Sequence, residues 1–128
     1  MPKITLQPSS MPVPAAPYVP GVKRGPMIFT AGQVAFDGEG KLAGIGDIRA
    51  QTRQTLLNVK AVLEEGGATL ADVLKTTVYL ADITDFPAMN EIYTEFFGDH
   101  KPARTTVEAR LVRPEMLVEI EAVAMTGD

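Results

Sequence analysis

From residue 117 to 125 the chain alternates without interruption. Val118, Ile120, Ala122 and Ala124 fall on one side; Leu117, Glu119, Glu121, Val123 and Met125 fall on the other. Strand side chains alternate with period two, so this run is a strand with one wholly apolar face. Its other face sets two carboxylates among large apolar residues. The first face demands a core; the second belongs neither to a core nor to open solvent. A second β-rich run, residues 102–111, precedes it, and the join carries Pro114, which has no place in a central ladder. In that run Arg104, Thr106, Glu108 and Arg110 share a side. An arginine-led strand beside a carboxylate-bearing one would make a small anion-binding acid/base site. The simpler alternative is a set of cross-strand ion pairs on a solvated face.

The upstream pattern supplies what could cover the apolar face. Ile4-Thr5-Leu6 can add a short edge strand. Pro8, Pro12, Pro14, Pro17 and Pro20 then force an extended or turning arm, on which Tyr18 is either a packing staple or a ligand contact. Residues 19–22 and 27–34 read as a hairpin around Lys23-Arg24-Gly25-Pro26. Gly32 within that second strand marks a bulge or a close approach. Asp47 is placed to cap a helix running to about residue 65, with Ile48, Thr52, Leu56, Val59 and Leu63 as its buried stripe and Gly66-Gly67 as its stop. Residues 72–81 read as a strand with Leu74, Thr76, Val78 and Leu80 on one side. A second helix over 86–97 takes Thr84 or Asp85 as cap, Phe86, Met89, Tyr93 and Phe96 as its stripe, and Gly98 as its stop. Asn90 lies in it, by pattern an ordinary helix-face amide. The order β-β-α-β-α-β-β predicts an α+β fold, a mixed sheet with two helices on one face. The face left uncovered then suggests oligomerisation.

The 128 residues fit one domain, 1–128. With no cysteine there is no disulfide or thiolate site, which fits a cytoplasmic protein. His100 is the sole histidine and reads as a solvent-exposed residue after the second helix. No metal-ligand motif is present. The net charge of −4, with no basic cluster, argues against a nucleic-acid partner. No apolar run is long enough for a membrane span, and no secretory signal is expected.

Six stretches together resemble a known family: Ala16-Pro17-Tyr18-Val19-Pro20-Gly21-Val22, Thr30-Ala31-Gly32-Gln33-Val34, residues 51–64, Val73-Leu74-Lys75-Thr76-Thr77-Val78-Tyr79, Pro102-Ala103-Arg104-Thr105-Thr106-Val107-Glu108 and Val118-Glu119-Ile120-Glu121-Ala122. The chain resembles the Rid family, the YjgF-like reactive-intermediate imine/enamine deaminases, over nearly its whole length. The resemblance implies a chorismate-mutase-like fold and a homotrimer with sites between subunits. It implies hydrolysis of 2-imino acids or their enamine tautomers, such as 2-iminobutanoate and 2-iminopropanoate, to 2-oxo acids and ammonia, without a cofactor. In that reading Arg104 holds the substrate carboxylate, Glu119 orients water, and Tyr18, Gly32, Asn90 and Thr106 line the pocket. Two features depart from the best-known members: Thr106 stands where they carry cysteine, and the connection from Gly98 to Pro102 is shorter. A deaminase of the aminomuconate or aminoacrylate type is the neighbouring alternative. Chaperone-like holdase and RNA-cleaving roles, to which family members have been linked, are the more distant ones.

Overall fold

The computed structural model describes residues 1–127. Six strands and two helices follow in the order β1 (Ile4–Leu6), β2 (Gly21–Arg24), β3 (Met27–Thr30), α1 (Ile48–Glu65), β4 (Val73–Leu80), α2 (Phe86–Phe97), β5 (Ala103–Glu108) and β6 (Val118–Met125). The α+β expectation holds, and the edge strand at residues 4–6 joins the sheet. Strand order is β1-β2-β3-β6-β4-β5. All neighbours are antiparallel except β4 and β5, which run parallel.

That exception corrects one expectation. The last two strands are not neighbours: β4 lies between them. The cause is α2. A strand, a helix and a returning strand form a crossover unit whose two strands pair in parallel, so β5 docks on β4. The chain then passes the end of β4 and enters antiparallel between β3 and β4 as β6. Gln51, fully buried on α1, fixes that passage. Its amide donates to Glu115 O at 2.8 Å and accepts from Leu117 N at 2.9 Å.

The helices cover one face of the sheet. Leu56, Val59, Val62 and Leu63 of α1 and Met89, Ile92, Tyr93 and Phe97 of α2 pack on Ile28, Val78, Leu80, Val118, Ile120 and Ala124. Burying one such aliphatic side chain contributes about 1.5–3 kcal/mol. Within the predicted stripes Ile48, Phe86 and Phe96 are only partly covered, and Val62, Ile92 and Phe97 take the deeper positions. Asp47 caps α1 by accepting from Ala50 N at 3.0 Å, and Gly67, at φ 83°, supplies the left-handed turn after it. Asp85 occupies the cap position of α2 without a side-chain bond; Asp82, one turn earlier, accepts from Thr84 N at 2.9 Å instead.

Two further differences are local. β3 ends at Thr30, not Val34, and Gln33 continues only as an isolated bridge to Ile120. In β4 the pairing jumps from Val73–Ala124 to Lys75–Val123, leaving Leu74 as an extra residue. This bulge returns Val73 to the core and turns Leu74 outward, 54% exposed, so Leu74 does not share the face of Thr76, Val78 and Leu80. Opposite the helices the sheet is bare: Phe29 (49% exposed), Val107 (40%) and Met125 (42%) lie there. So do the half-buried Tyr79, Glu119, Glu121 and Val123. Among the described residues no helix is long and apolar enough to cross a membrane.

Candidate active site

Glu119 sits on the bare face near the start of β6. The bridge Gln33 N to Ile120 O at 2.8 Å, returned by Ile120 N to Gln33 O at 3.0 Å, presses the segment after β3 against it. Asn58 on α1 fixes the far end of that segment, donating to Val34 O at 2.9 Å and Phe36 O at 2.8 Å. The result is a close approach at Gly32: a Cβ there would lie 2.1 Å from Glu119 Oε2 and 2.8 Å from Cδ. A residue with no side chain is therefore what lets the carboxylate lie where it does. Burial pushes the Glu119 carboxyl above the usual glutamate range, and the charge of Glu121 adds to that effect. Glu121 in turn accepts from the Tyr79 hydroxyl at 2.7 Å. Tyr18, 54% exposed on the proline arm, lines a groove of about 620 Å³ together with Gly32, Val34, Phe36, Leu57 and arm residues 10–15.

Arg104 lies elsewhere. It opens β5 opposite Thr76, and Thr76 points to the helices. Its guanidinium stacks 4.7 Å from the ring centroid of Tyr93 and 5.4 Å from that of Phe86. The Tyr93 hydroxyl is fixed by Thr76 Oγ1 at 2.7 Å. Cation–π stacking of this kind holds a guanidinium flat while leaving its N–H edge free. No ion pair among the described residues uses Arg104. Glu108, its nearest acidic neighbour along the strand, is taken by Ile83 N at 2.9 Å. The ion-pair account of Arg104 therefore has no partner among the described residues. Asn90 falls on the α2 face between Phe86 and Tyr93, and Thr106 follows Arg104 on the same side of β5. Asn90 Oδ1 and Thr106 Oγ1 are both buried without a hydrogen-bond partner, so the helix-face amide is less ordinary than its pattern suggests.

The six expected site residues thus fall into two groups. Gly32 meets Glu119 at the bare side of the sheet and shares with Tyr18 a groove that runs on to α1. Asn90, Arg104 and Thr106 gather at its β5 edge, under α2. Because β4 separates β5 from β6 and the two side chains leave opposite faces, one chain does not bring Arg104 to Glu119. Three residues near the site are not marked as site residues by the sequence: Tyr79, which reaches the acidic pair through strand register, and Phe86 and Tyr93, which hydrophobic periodicity assigns to packing. His100 is exposed after α2, as its position suggests. Among the described residues no three His, Cys, Asp or Glu are grouped to hold a metal ion.

Comparison with known proteins gives a consistent set. The profile of the endoribonuclease L-PSP family matches residues 8–126. A RutC family protein of Pyrococcus abyssi is 49% identical over 113 residues, 88% of this chain and 89% of that protein. The 3-aminoacrylate deaminase RutC of Acinetobacter baylyi is 39% identical over 124 residues, covering 97% of this chain and 98% of that one. Among solved structures, Escherichia coli TdcF with bound serine matches with a TM-score of 0.89 at 34% identity, over 97% of this chain and 99% of that one.

Proposed function

The chain belongs to the endoribonuclease L-PSP family, that of the Rid and YjgF-like proteins, and from that premise we propose that it is a deaminase that hydrolyses carboxylate-bearing imines in clefts between its own copies. The observation that carries this reading is the division of the site. Arg104 is a planar cation held on two aromatic rings with no ion-pair partner among the described residues. Glu119 is a carboxylate of raised proton affinity on the opposite face. Each lacks what the other supplies. The bare apolar sheet face, continuous with Glu119, offers the surface on which a second copy would bring them together, and a homotrimer is the assembly proposed.

In such a cleft Arg104 grips the substrate carboxylate through two N–H groups. Glu119 takes a proton from water as the water oxygen bonds to the imine carbon. With the imine nitrogen protonated on entry this gives a neutral carbinolamine; the carboxyl then passes its proton to the amine nitrogen, and ammonia leaves as the hydroxyl proton returns to the Glu119 carboxylate and the C=O of the 2-oxo acid forms. An enamine enters the same path after protonation on carbon. Asn90 and Thr106 line the carboxylate end, Tyr18 and Gly32 the water end. Thr106 has no adjacent base and is not a nucleophile in this scheme. The serine bound to TdcF, an amino acid of the same skeleton, supports a pocket for a small carboxylate.

The likeness to a 3-aminoacrylate deaminase favours a second substrate. In 3-aminoacrylate one more carbon separates nitrogen from carboxylate, so the distance from the arginine edge to the attacked carbon decides between the two. RNA is a poor partner for a chain of net charge −4 whose one histidine is exposed. The test generates 2-iminobutanoate with a threonine dehydratase and, separately, 3-aminoacrylate, and traps the remaining imine with semicarbazide. Faster loss of one or both with the protein present supports the reading. No acceleration of either, by protein that is folded and oligomeric, refutes it and leaves the holdase role in its place.

A further inference from the structure

Glu119 is not a lone carboxylate. Tyr79 of β4 is its cross-strand neighbour, and Thr77 occupies the same relation to Glu121. The Tyr79 side chain leans past its own partner and donates to Glu121 Oε1 at 2.7 Å. Glu121 is thereby held by a short hydroxyl contact, whereas Glu119 has no hydrogen-bond donor among the described residues and fills the space a Cβ would take at Gly32.

We infer that Tyr79 and Glu121 are positioning residues for Glu119: the Tyr79 hydroxyl fixes the Glu121 carboxylate beside Glu119 and leaves Glu119, packed on Gly32, as the member free to act on a proton. The inference rests on the deaminase reading for its use in catalysis, but not for its physical content. Two carboxylates on adjacent same-face positions of one strand repel, and a proton shared between them goes to the one with less compensation. Glu121 has a donor; Glu119 has burial and none. The directions agree: burial and Glu121 raise Glu119, and the bond to Glu121 raises the Tyr79 hydroxyl.

The other charged groups nearby do not reverse the assignment. Lys75 lies on the same face of β4, but its Nζ is committed towards β5, to Thr105 Oγ1 at 3.1 Å and Thr76 O at 2.9 Å. On β5 the residues opposite Thr77 and Tyr79 are Thr105 and Val107, and on β3 Phe29 faces Val123; none is ionisable except Tyr79 itself. The segment after β3 contributes only Gly32 and the Gln33 amide, which is bound to Pro20 O and Ala31 O. In the proposed assembly Arg104 of a second copy would face Glu119 and favour its charged form.

The experiment titrates the Glu119 side-chain carboxyl by carbon NMR on the full-length protein carrying labelled glutamate, its resonance identified by its loss in Glu119→Gln. The parent is compared with Glu121→Gln and Tyr79→Phe, and the pH dependence of kcat/KM for imine hydrolysis is recorded on the same samples. The Glu119 midpoint should fall in Glu121→Gln, because the neighbouring charge is gone. It should fall by a smaller amount in Tyr79→Phe, because the Glu121 carboxylate is then released from its fixed place beside Glu119. The acid limb of kcat/KM should move to lower pH in the same order. An unmoved Glu119 midpoint in both folded variants overturns the inference. Tyr79→Phe removes one oxygen and carries the test alone if Glu121→Gln does not fold. Shifted midpoints in a protein that hydrolyses no imine uphold the pair and overturn the deaminase reading instead.

Discussion

Replacing Gly32 by alanine separates a site from a mere strand end. The new Cβ would stand 2.1 Å from Glu119 Oε2, where ordinary contact begins near 3.4 Å, and 3.0 Å from Cγ. The obstacle is the far end of a flexible side chain rather than backbone. The carboxylate can therefore swing away, and the stability cost falls at or below the low end of the roughly 1–3 kcal/mol typical of overpacking. The displacement of the carboxylate, however, exceeds 1 Å. Misplacing a catalytic group by ~1 Å can cost about 100-fold in rate. The expected variant is thus folded, of nearly parental Tm, and slower in imine hydrolysis by about two orders of magnitude in kcat. The dehydratase-coupled semicarbazide assay and a thermal melt on one preparation read both numbers. Full turnover in a stable Gly32→Ala protein would refute the placement of Glu119 as the group that activates water. A collapse of Tm with proportionate activity loss would refute the claim that the contact is functional rather than structural.

Other perturbations follow from the same geometry. Arg104→Ala removes a charge-assisted contact worth about 1.5–3 kcal/mol; kcat/KM for carboxylate-bearing imines should fall about one to two orders of magnitude while Tm changes little. Arg104→Lys should recover little of it, because an ammonium keeps the charge but loses the planar fork; undiminished turnover in either variant contradicts the role. Thr106→Val removes a buried hydroxyl that has no partner, so Tm should hold or rise and most turnover should survive; lost turnover in a folded variant would give the hydroxyl a direct part. Asn58→Ala strips donors from the carbonyls of Val34 and Phe36 and should destabilise by about 1–3 kcal/mol, read as a lower denaturant midpoint. Glu119 binds its proton more tightly folded than unfolded, so its ionisation costs stability as pH rises from below the ordinary glutamate range through the raised folded value. In an Arg104→Ala background, where no guanidinium of a second copy offsets the burial, adding Glu119→Gln should therefore raise the melting temperature at neutral pH, with the difference vanishing in acid.

Strand alternation, helix periodicity and caps were legible residue by residue, because each is written in local spacing. Asp47, the stripe of α1 and the two faces of β6 follow from it directly. Register and neighbour relations are not local. Nothing in residues 102–125 says that β4 will intervene, since that follows from a crossover through α2, and the bulge at Leu74 follows from pairing with β6. The candidate site divides the same way. Gly32 was recognisable as a close approach, but the atom it approaches is set by the Gln33–Ile120 bridge. Arg104 stood out as a candidate anion holder, yet Phe86 and Tyr93, which hold it, are indistinguishable from core residues by pattern. Tyr79 has no signal until strand pairing places its hydroxyl on Glu121.

The account stands on Arg104 and Glu119 meeting only across two copies of the chain. Coexpressing Arg104→Ala with Glu119→Gln tests this directly. In a randomly assorted cyclic trimer of equal parts, each mixed ring holds one cleft with both native groups, so about one quarter of the parental activity should return, far above either variant alone. Mixed trimers confirmed by native mass spectrometry that show no more activity than the average of the two variants would contradict it.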